Sequence, residues 1–191
     1  MIAHVNGRIV EKSPTEVIIE CGGIGYALKI SLNTYSALGN DEQLKLLTAF
    51  VVREDAQLLY GFKTELERTM FNHLVSVSGI GPNTAMIMLS SLLPAEIGKA
   101  ITSEDVATIQ SIKGIGAKTA QRVIIDLKDK MLKLEFGSDI SSIAHNTTQD
   151  DALTALVSLG FDKKQAEKAL RKIKLEDGTV EQWIKEALKI L

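Results

Sequence analysis

The pattern of apolar and polar positions changes character at Thr64. Before it, short apolar and β-branched runs are separated by turn signals. They are "TEVIIE" (15–20), "YALKIS" (26–31), "LKLLTAFVV" (44–52) and "QLLYGF" (57–62), with "CGGIGY" as one such turn. "REDA" (53–56) reads as the tip of a hairpin joining the last two runs. Five or six short antiparallel strands in about 60 residues predict a small barrel of the OB type over residues 1–63. After Thr64 the apolar period becomes helical. "TELE" is a capping box in which Thr64 caps and Glu67 reaches back. Met70, Phe71, Leu74 and Val75 then recur at helical spacing. Helices continue to Leu134. Pro82 and Pro94 stand at first helical positions, Ser103 caps "EDVATIQSI", and a longer helix runs from Ala117 through "QRVIIDLKDKMLKL". Residues 136–148 lack periodicity and are rich in Ser, Thr, Gly and Asn, the composition of a flexible linker. Residues 149–191 predict three more helices. The first starts at Thr148 or Asp150 and is terminated by Gly160, the second is capped by Asp162, and the third begins at Thr179. So short a bundle has little core of its own, and Trp183 and the leucines are expected to supply much of it.

Charge narrows the functional classes. The net charge is −2, and residues 65–135 carry 8 basic and 8 acidic groups, so no segment suits a protein that coats nucleic acid non-specifically. Any DNA binding must come from local geometry with modest counterion release. The single cysteine, Cys21, excludes an intramolecular disulfide; with no signal-peptide pattern this predicts a cytoplasmic protein. No apolar run approaches the ~18–20 residues of a membrane span. His4, His73 and His145 are scattered, which leaves no zinc spacing. No nucleophile–base constellation stands out, so the chain reads as non-catalytic and without a cofactor.

The chain uses nearly the same eight residues twice, "SGIGPNTA" (78–85) and "KGIGAKTA" (113–120), with five of the eight positions identical. Nucleotide binding fails on spacing. A P-loop would need glycines where Ile112 and Ala117 stand, and a strand where "SEDVATIQSI" is helical. A dinucleotide fingerprint would need glycine at Thr84 and Thr119. Helix, tight G-x-G turn, helix is the better reading. The glycines allow positive φ and close backbone approach, and the amides opening the next helix suit a phosphate. Ile80 and Ile115 can plug each turn into the core. A hairpin whose glycines serve only to turn the chain is the competing reading. Two matched copies, each followed by polar residues (Asn83–Thr84 and Lys118–Thr119), weigh against it.

"GIGPNTA" and "GIGAKTA" resemble paired helix-hairpin-helix motifs, which bind DNA backbone without reading sequence. The order of an N-terminal OB-fold barrel, a helical domain with two such motifs, a linker and a C-terminal three-helix UBA-like bundle resembles the RuvA family. These are the Holliday-junction-recognition subunits of the bacterial branch-migration complex. "VVREDAQLLYGF" (51–62) is similar to that family's pin hairpin and "SLGFDKKQA" (158–166) to its C-terminal domain, so the resemblance covers essentially the whole chain.

The resemblance implies a homotetramer with the barrels at its centre, and one or two such tetramers on a four-way junction. Each subunit would grip one arm regardless of DNA sequence. By motif, the DNA-binding residues are Gly79, Ile80, Gly81, Asn83, Thr84, Gly114, Ile115, Gly116, Lys118, Thr119 and Arg122, with Lys118 and Arg122 as charged contacts of the second hairpin. Asn83 departs from the family, where lysine is frequent, and adds a donor without charge. Glu54 and Asp55 become an acidic pin at the junction centre, where a bare reading allows ordinary turn chemistry. Leu156, Leu159, Phe161 and Leu188 become a patch for the RuvB motor, an AAA+ ATPase, where a bare reading allows core packing. Leu159–Gly160–Phe161 also resembles the partner-facing loop of ubiquitin-associated bundles. The implied function is a non-catalytic scaffold that holds the junction open and stimulates RuvB in recombination and repair, beside the RuvC resolvase. Two competitors remain: a single-strand-binding OB protein, stacking bases on Tyr26, Tyr35, Phe50, Tyr60 or Phe62, and a structure-specific nuclease or glycosylase.

Overall fold

A computed structural model describes residues 1–39, 42–140, 148–173 and 178–191, with the backbone alone for 134–140. The chain divides into two units, Met1–Leu134 and Glu135–Leu191. In the first, β1 (His4–Lys12), β2 (Glu16–Cys21), β3 (Ile24–Ile30), β4 (Gln43–Val52) and β5 (Gln57–Phe62) form a closed barrel in the order β1-β2-β3-β5-β4, sealed by β1 against β4. Alternate positions (Val17, Ile19, Leu28, Ile30, Leu44 and Leu46) point inward and are buried. Gly61 belongs to this interior, because a Cβ there would lie 3.0 Å from Leu46 Cδ1 and 3.2 Å from Leu28.

One expectation about the barrel changes. Its pairings are not all antiparallel, because β3 and β5 run parallel, with Leu28 beside Leu59 and Ile30 beside Gly61. Parallel neighbours need a crossover, and α1 (Leu32–Ala37) with β4 provides it. Ser31 caps α1 by accepting from Thr34 N–H. β1 lacks a clean alternation: Val5 is its one buried residue, and its register shifts between Ile9 and Glu11.

After the barrel come α2 (Glu65–Val75), α3 (Pro82–Ser91), α4 (Pro94–Thr102), α5 (Val106–Gln110) and α6 (Ala117–Ile140). Thr64 Oγ1 accepts from Glu67 N–H as expected, and Pro82 and Pro94 open their helices. Glu67 does not reach back. Its carboxyl is buried and accepts from Ser31 Oγ and, at 2.5 Å, from Thr34 Oγ1, so it fastens α2 to α1. Ser103 is also displaced from its expected role: it closes α4, donating to Lys99 O at 2.8 Å. Glu104, at φ 58°, reverses the chain, and Asp105 caps α5 instead.

The last two strands of the barrel share a core with the helices. Phe71 of α2 lies 5.0 Å from the rings of both Tyr60 and Phe62, and these three are buried with Leu74, Ile97, Ile101 and Leu127. The change of pattern at Thr64 is thus a change of secondary structure within a single packed unit.

The second unit holds α7 (Thr148–Ser158), α8 (Lys163–Lys172) and α9 (Val180–Leu188). Asp162 and Thr179 cap as expected. Gly160, at φ +99°, ends α7 in a Schellman turn: its N–H donates to Val157 O at 3.0 Å, and Phe161 N–H donates to Leu156 O at 3.2 Å. The core differs from expectation. Ala152, Ala166, Ala169 and Ala187 are buried with Leu156 and Leu170, while Trp183 is only partly buried against them. Small side chains let three short helices pack closely. Of the stretch expected as a linker, 136–148, α6 covers the residues up to Ile140 and α7 begins at Thr148; residues 141–147 lie outside the described residues. Among the described residues no single helix is long and apolar enough to cross a membrane.

Candidate nucleic-acid interface

Each copy of the repeat folds the same way. Two residues past the end of α2 or α5 stands a buried aliphatic residue, Val77 or Ile112, whose carbonyl accepts from the isoleucine of the turn: Ile80 N–H to Val77 O at 3.0 Å, Ile115 N–H to Ile112 O at 3.1 Å. Between them Gly79 and Gly114 adopt φ +96° and +92°, which L side chains rarely reach. That reversal buries Ile80 and Ile115 and leaves Gly81 and Gly116 at the mouth of α3 and α6. Their carbonyls accept the first helical bonds, from Ala85 and Ala120 N–H, each at 2.9 Å. A Cβ on any of the four glycines would meet nothing within 4 Å, so the space before each turn is open. Neither α3 nor α6 carries an acidic residue in its first turn. Each therefore presents unopposed N–H groups and a positive dipole end, which favour an anion.

The polar side chains differ between the copies. Lys118 is exposed at the second turn. Its counterpart Asn83 is also exposed, and its Oδ1 accepts from the Tyr60 hydroxyl at 3.3 Å, leaving its NH₂ as a donor. Burial raises the Tyr60 phenol above its ordinary value despite the nearby Arg53 charge, so it stays protonated and can donate. Thr84 and Thr119 are half-buried. Arg122 does not stay on its own hairpin: its Nη1 donates to Ser78 O and Ser78 Oγ, both at 3.3 Å, at the first turn. His73, at the end of α2, is held below its ordinary value by burial and then by Lys130, and adds no charge at neutral pH. Lys128 is paired with Glu104. The repeat alone missed Tyr60 and Ser78, whose partners lie 23 and 44 residues away. It also left out Lys113, an exposed cation at the position matching Ser78.

Glu54 and Asp55 are exposed at the tip between β4 and β5, where Arg53 N–H donates to Ala56 O at 2.8 Å. The barrel aromatics do not form a stacking platform: Tyr60 and Phe62 are fully buried, and Tyr26, Tyr35 and Phe50 are half-buried.

In the C-terminal bundle the four expected partner residues separate. Leu156 is fully buried, so it belongs to the core and cannot face a partner. Phe161 packs partly against that core. Leu159 and Leu188 are exposed, at 62% and 44%, and so are Val157, Ile190 and Leu191, which the pattern had not singled out. Leu156→Ala is expected to destabilise the bundle by about 2–5 kcal/mol, while Leu159→Ala leaves it nearly unchanged. Trp183 is the only tryptophan in the chain, so thermal unfolding followed by its fluorescence reads the bundle alone. Equal losses from both substitutions would contradict the assignment.

Comparison with known proteins agrees with this architecture. Residues 1–61 match the RuvA N-terminal domain, 71–129 a SAM-like tandem helix-hairpin-helix, and 147–191 the RuvA C-terminal domain. The chain is 54% identical to a Holliday junction branch migration complex subunit RuvA of Flavobacterium psychrophilum, over the full length of both chains. It is 53% identical to the protein of the same name from Christiangramia forsetii and 50% identical to that from Cytophaga hutchinsonii, again over both full lengths.

Proposed function

The chain belongs to the RuvA family, and from that premise we propose that it is the junction-binding subunit of a Holliday junction branch migration complex. The observation that carries this is the pair of open G-x-G turns with matching φ angles and matching hydrogen bonds. Each turn offers backbone N–H groups to a phosphate of the same duplex arm, and Lys118 adds a charged contact at the second. Thr84, Thr119 and the Asn83 NH₂ complete the polar rim, and Ile80 and Ile115 hold the turns rigid from behind. Contacts to phosphate position a duplex without reading it, so binding is independent of sequence. This chain makes and breaks no bond; ATP hydrolysis belongs to RuvB, and strand cleavage to the RuvC resolvase. Incubating the protein with labelled junction and Mg²⁺ is expected to leave the DNA intact, and cleavage would favour the nuclease reading.

Four subunits form the working unit in this proposal, with the barrels central, and one or two tetramers enclose the junction in the cytoplasm. Glu54 and Asp55 from each subunit then face the crossing strands. Like charges repel at short range, which keeps the strands apart and disfavours continuous duplex across the centre. Leu159 and Leu188 offer exposed apolar contacts for RuvB, with Phe161 holding the Leu159 turn against the bundle.

The pin gives a direct test. Replacing Glu54 and Asp55 together by Gln and Asn is expected to preserve folding, because the tip is exposed. Plain duplex should then bind more tightly, since a repulsive element has been removed. Gel-shift titration of junction against duplex at one salt concentration measures the change. A double variant that discriminates as well as the parent would exclude a selective role for the pin.

A further inference from the structure

We propose that Arg122, carried by the helix of the second hairpin, supplies the positive charge of the first hairpin's phosphate site. This inference rests on the reading of the two turns as the DNA interface. The first hairpin has no cation of its own: between Arg68 and Lys99 the chain contains no lysine or arginine. Arg68 itself is engaged by Glu65 at 2.8 Å and by Ala3 O at 3.2 Å. The second hairpin, by contrast, has Lys113 within its turn and Lys118 just after it, and its matched positions in the first are Ser78 and Asn83. The two copies are therefore alike in backbone and unlike in charge.

Arg122 redresses the imbalance. Its Nη1 donates to both Ser78 O and Ser78 Oγ at 3.3 Å, which anchors the guanidinium beside the residue that precedes Gly79. The side chain is otherwise exposed, and among the described residues neither Nη2 nor Nε donates to a protein acceptor. A guanidinium has five N–H groups in a planar fork, so it can hold the Ser78 anchor and still donate to a phosphate. The anchor also limits the rotamer freedom that an exposed arginine would otherwise lose on binding. Lys118, with no such tether, serves the second site. The second turn thus has two exposed cations of its own, Lys113 and Lys118, whereas the first turn borrows its cation from the helix of the second. This arrangement also lets Asn83 stand where lysine is frequent in the family, with its Oδ1 free to accept from Tyr60.

A double-mutant cycle tests the assignment. Junction binding is measured by fluorescence anisotropy over a range of salt concentrations for the parent, Arg122→Ala, Asn83→Lys, the double variant and Lys118→Ala. Arg122→Ala is expected to weaken binding about 10-fold and to lower the salt slope by about one charge per subunit. Asn83→Lys is expected to recover most of that loss, and the slope, in the Arg122→Ala background. In the parent it should gain about 3-fold or less, because one cation already serves that phosphate. Loss of the Tyr60 contact is common to both backgrounds and cancels in the cycle. Equal gains from Asn83→Lys in the two backgrounds would overturn the proposal. So would an Arg122→Ala loss with unchanged salt slope and no rescue, the signature of a brace between the hairpins. If Lys118→Ala also left binding unchanged, the underlying reading of the turns as the DNA interface would fail, a result distinct from failure of the Arg122 assignment alone. Thermal melting of each variant checks that the exposed substitutions leave the fold intact.

Discussion

Gly116→Val is expected to reduce affinity for a four-way junction by roughly 10- to 100-fold while leaving the melting temperature almost unchanged, the loss being that of one or two hydrogen bonds to a charged group. The separation of the two effects follows from geometry. Gly116 does not lie in the left-handed region, and a Cβ there meets no protein atom within 4 Å. The folded chain therefore tolerates a side chain at this position. A phosphate that approaches the first N–H groups of α6 does not, because the valine methyls fill the space it would occupy. Gly114→Val makes the useful contrast. At φ +92° a β-branched residue is strained, so it should cost about 1–3 kcal/mol of stability as well as binding. The binding loss at Gly116 should be the same for arms of any sequence, as read by gel shift on junctions with permuted arms. A loss that varied with sequence, or parental affinity with the valine in place, would remove the second turn from the interface.

A chain ending at Ile140 is expected to bind junctions with the affinity of the full chain and to lose all stimulation of the RuvB motor. The buried clusters of the first unit draw their residues from Val5 to Met131, and include every strand and both hairpin turns. The buried cluster of the bundle draws its residues from Ala152 to Ala187. Removing the bundle thus takes nothing from the core that shapes the phosphate sites. It does take Leu159 and Leu188, the exposed apolar side chains to which motor recruitment is ascribed. Junction binding by gel shift, beside ATP-driven branch migration with added RuvB, measures both halves. Full migration by the truncated chain would overturn the role given to the bundle. In the full chain, Leu159→Ala should reproduce much of the migration defect without loss of junction binding, as truncation of an interface anchor does.

The features legible in the sequence are those fixed by residues a few positions apart. Thr64, Asp162 and Thr179 cap helices because a side-chain oxygen reaches an amide two or three residues on. Pro82 and Pro94 open helices because the first helical N–H needs no partner. The paired G-x-G turns could be read twice over, since positive φ and a buried isoleucine are local demands that the repeat states in both copies. The strands after β1 were legible as short apolar, β-branched runs bounded by turn signals. Tertiary structure decided whatever depends on residues brought together by the whole fold. The parallel β3–β5 pair exists because closing the barrel seats β5 between β3 and β4. Glu67, which local rules assign to a capping box, is drawn instead to Ser31 and Thr34 because packing α2 on the barrel buries its carboxyl beside their hydroxyls. Leu156 and Leu159 are both leucines near the end of α7, yet one is core and the other is exposed, because only the packing of α8 and α9 selects the covered face. Arg122 belongs to the second hairpin by position and to the first by contact. A side chain of that length is placed by whatever acceptor the fold presents, here a serine 44 residues earlier.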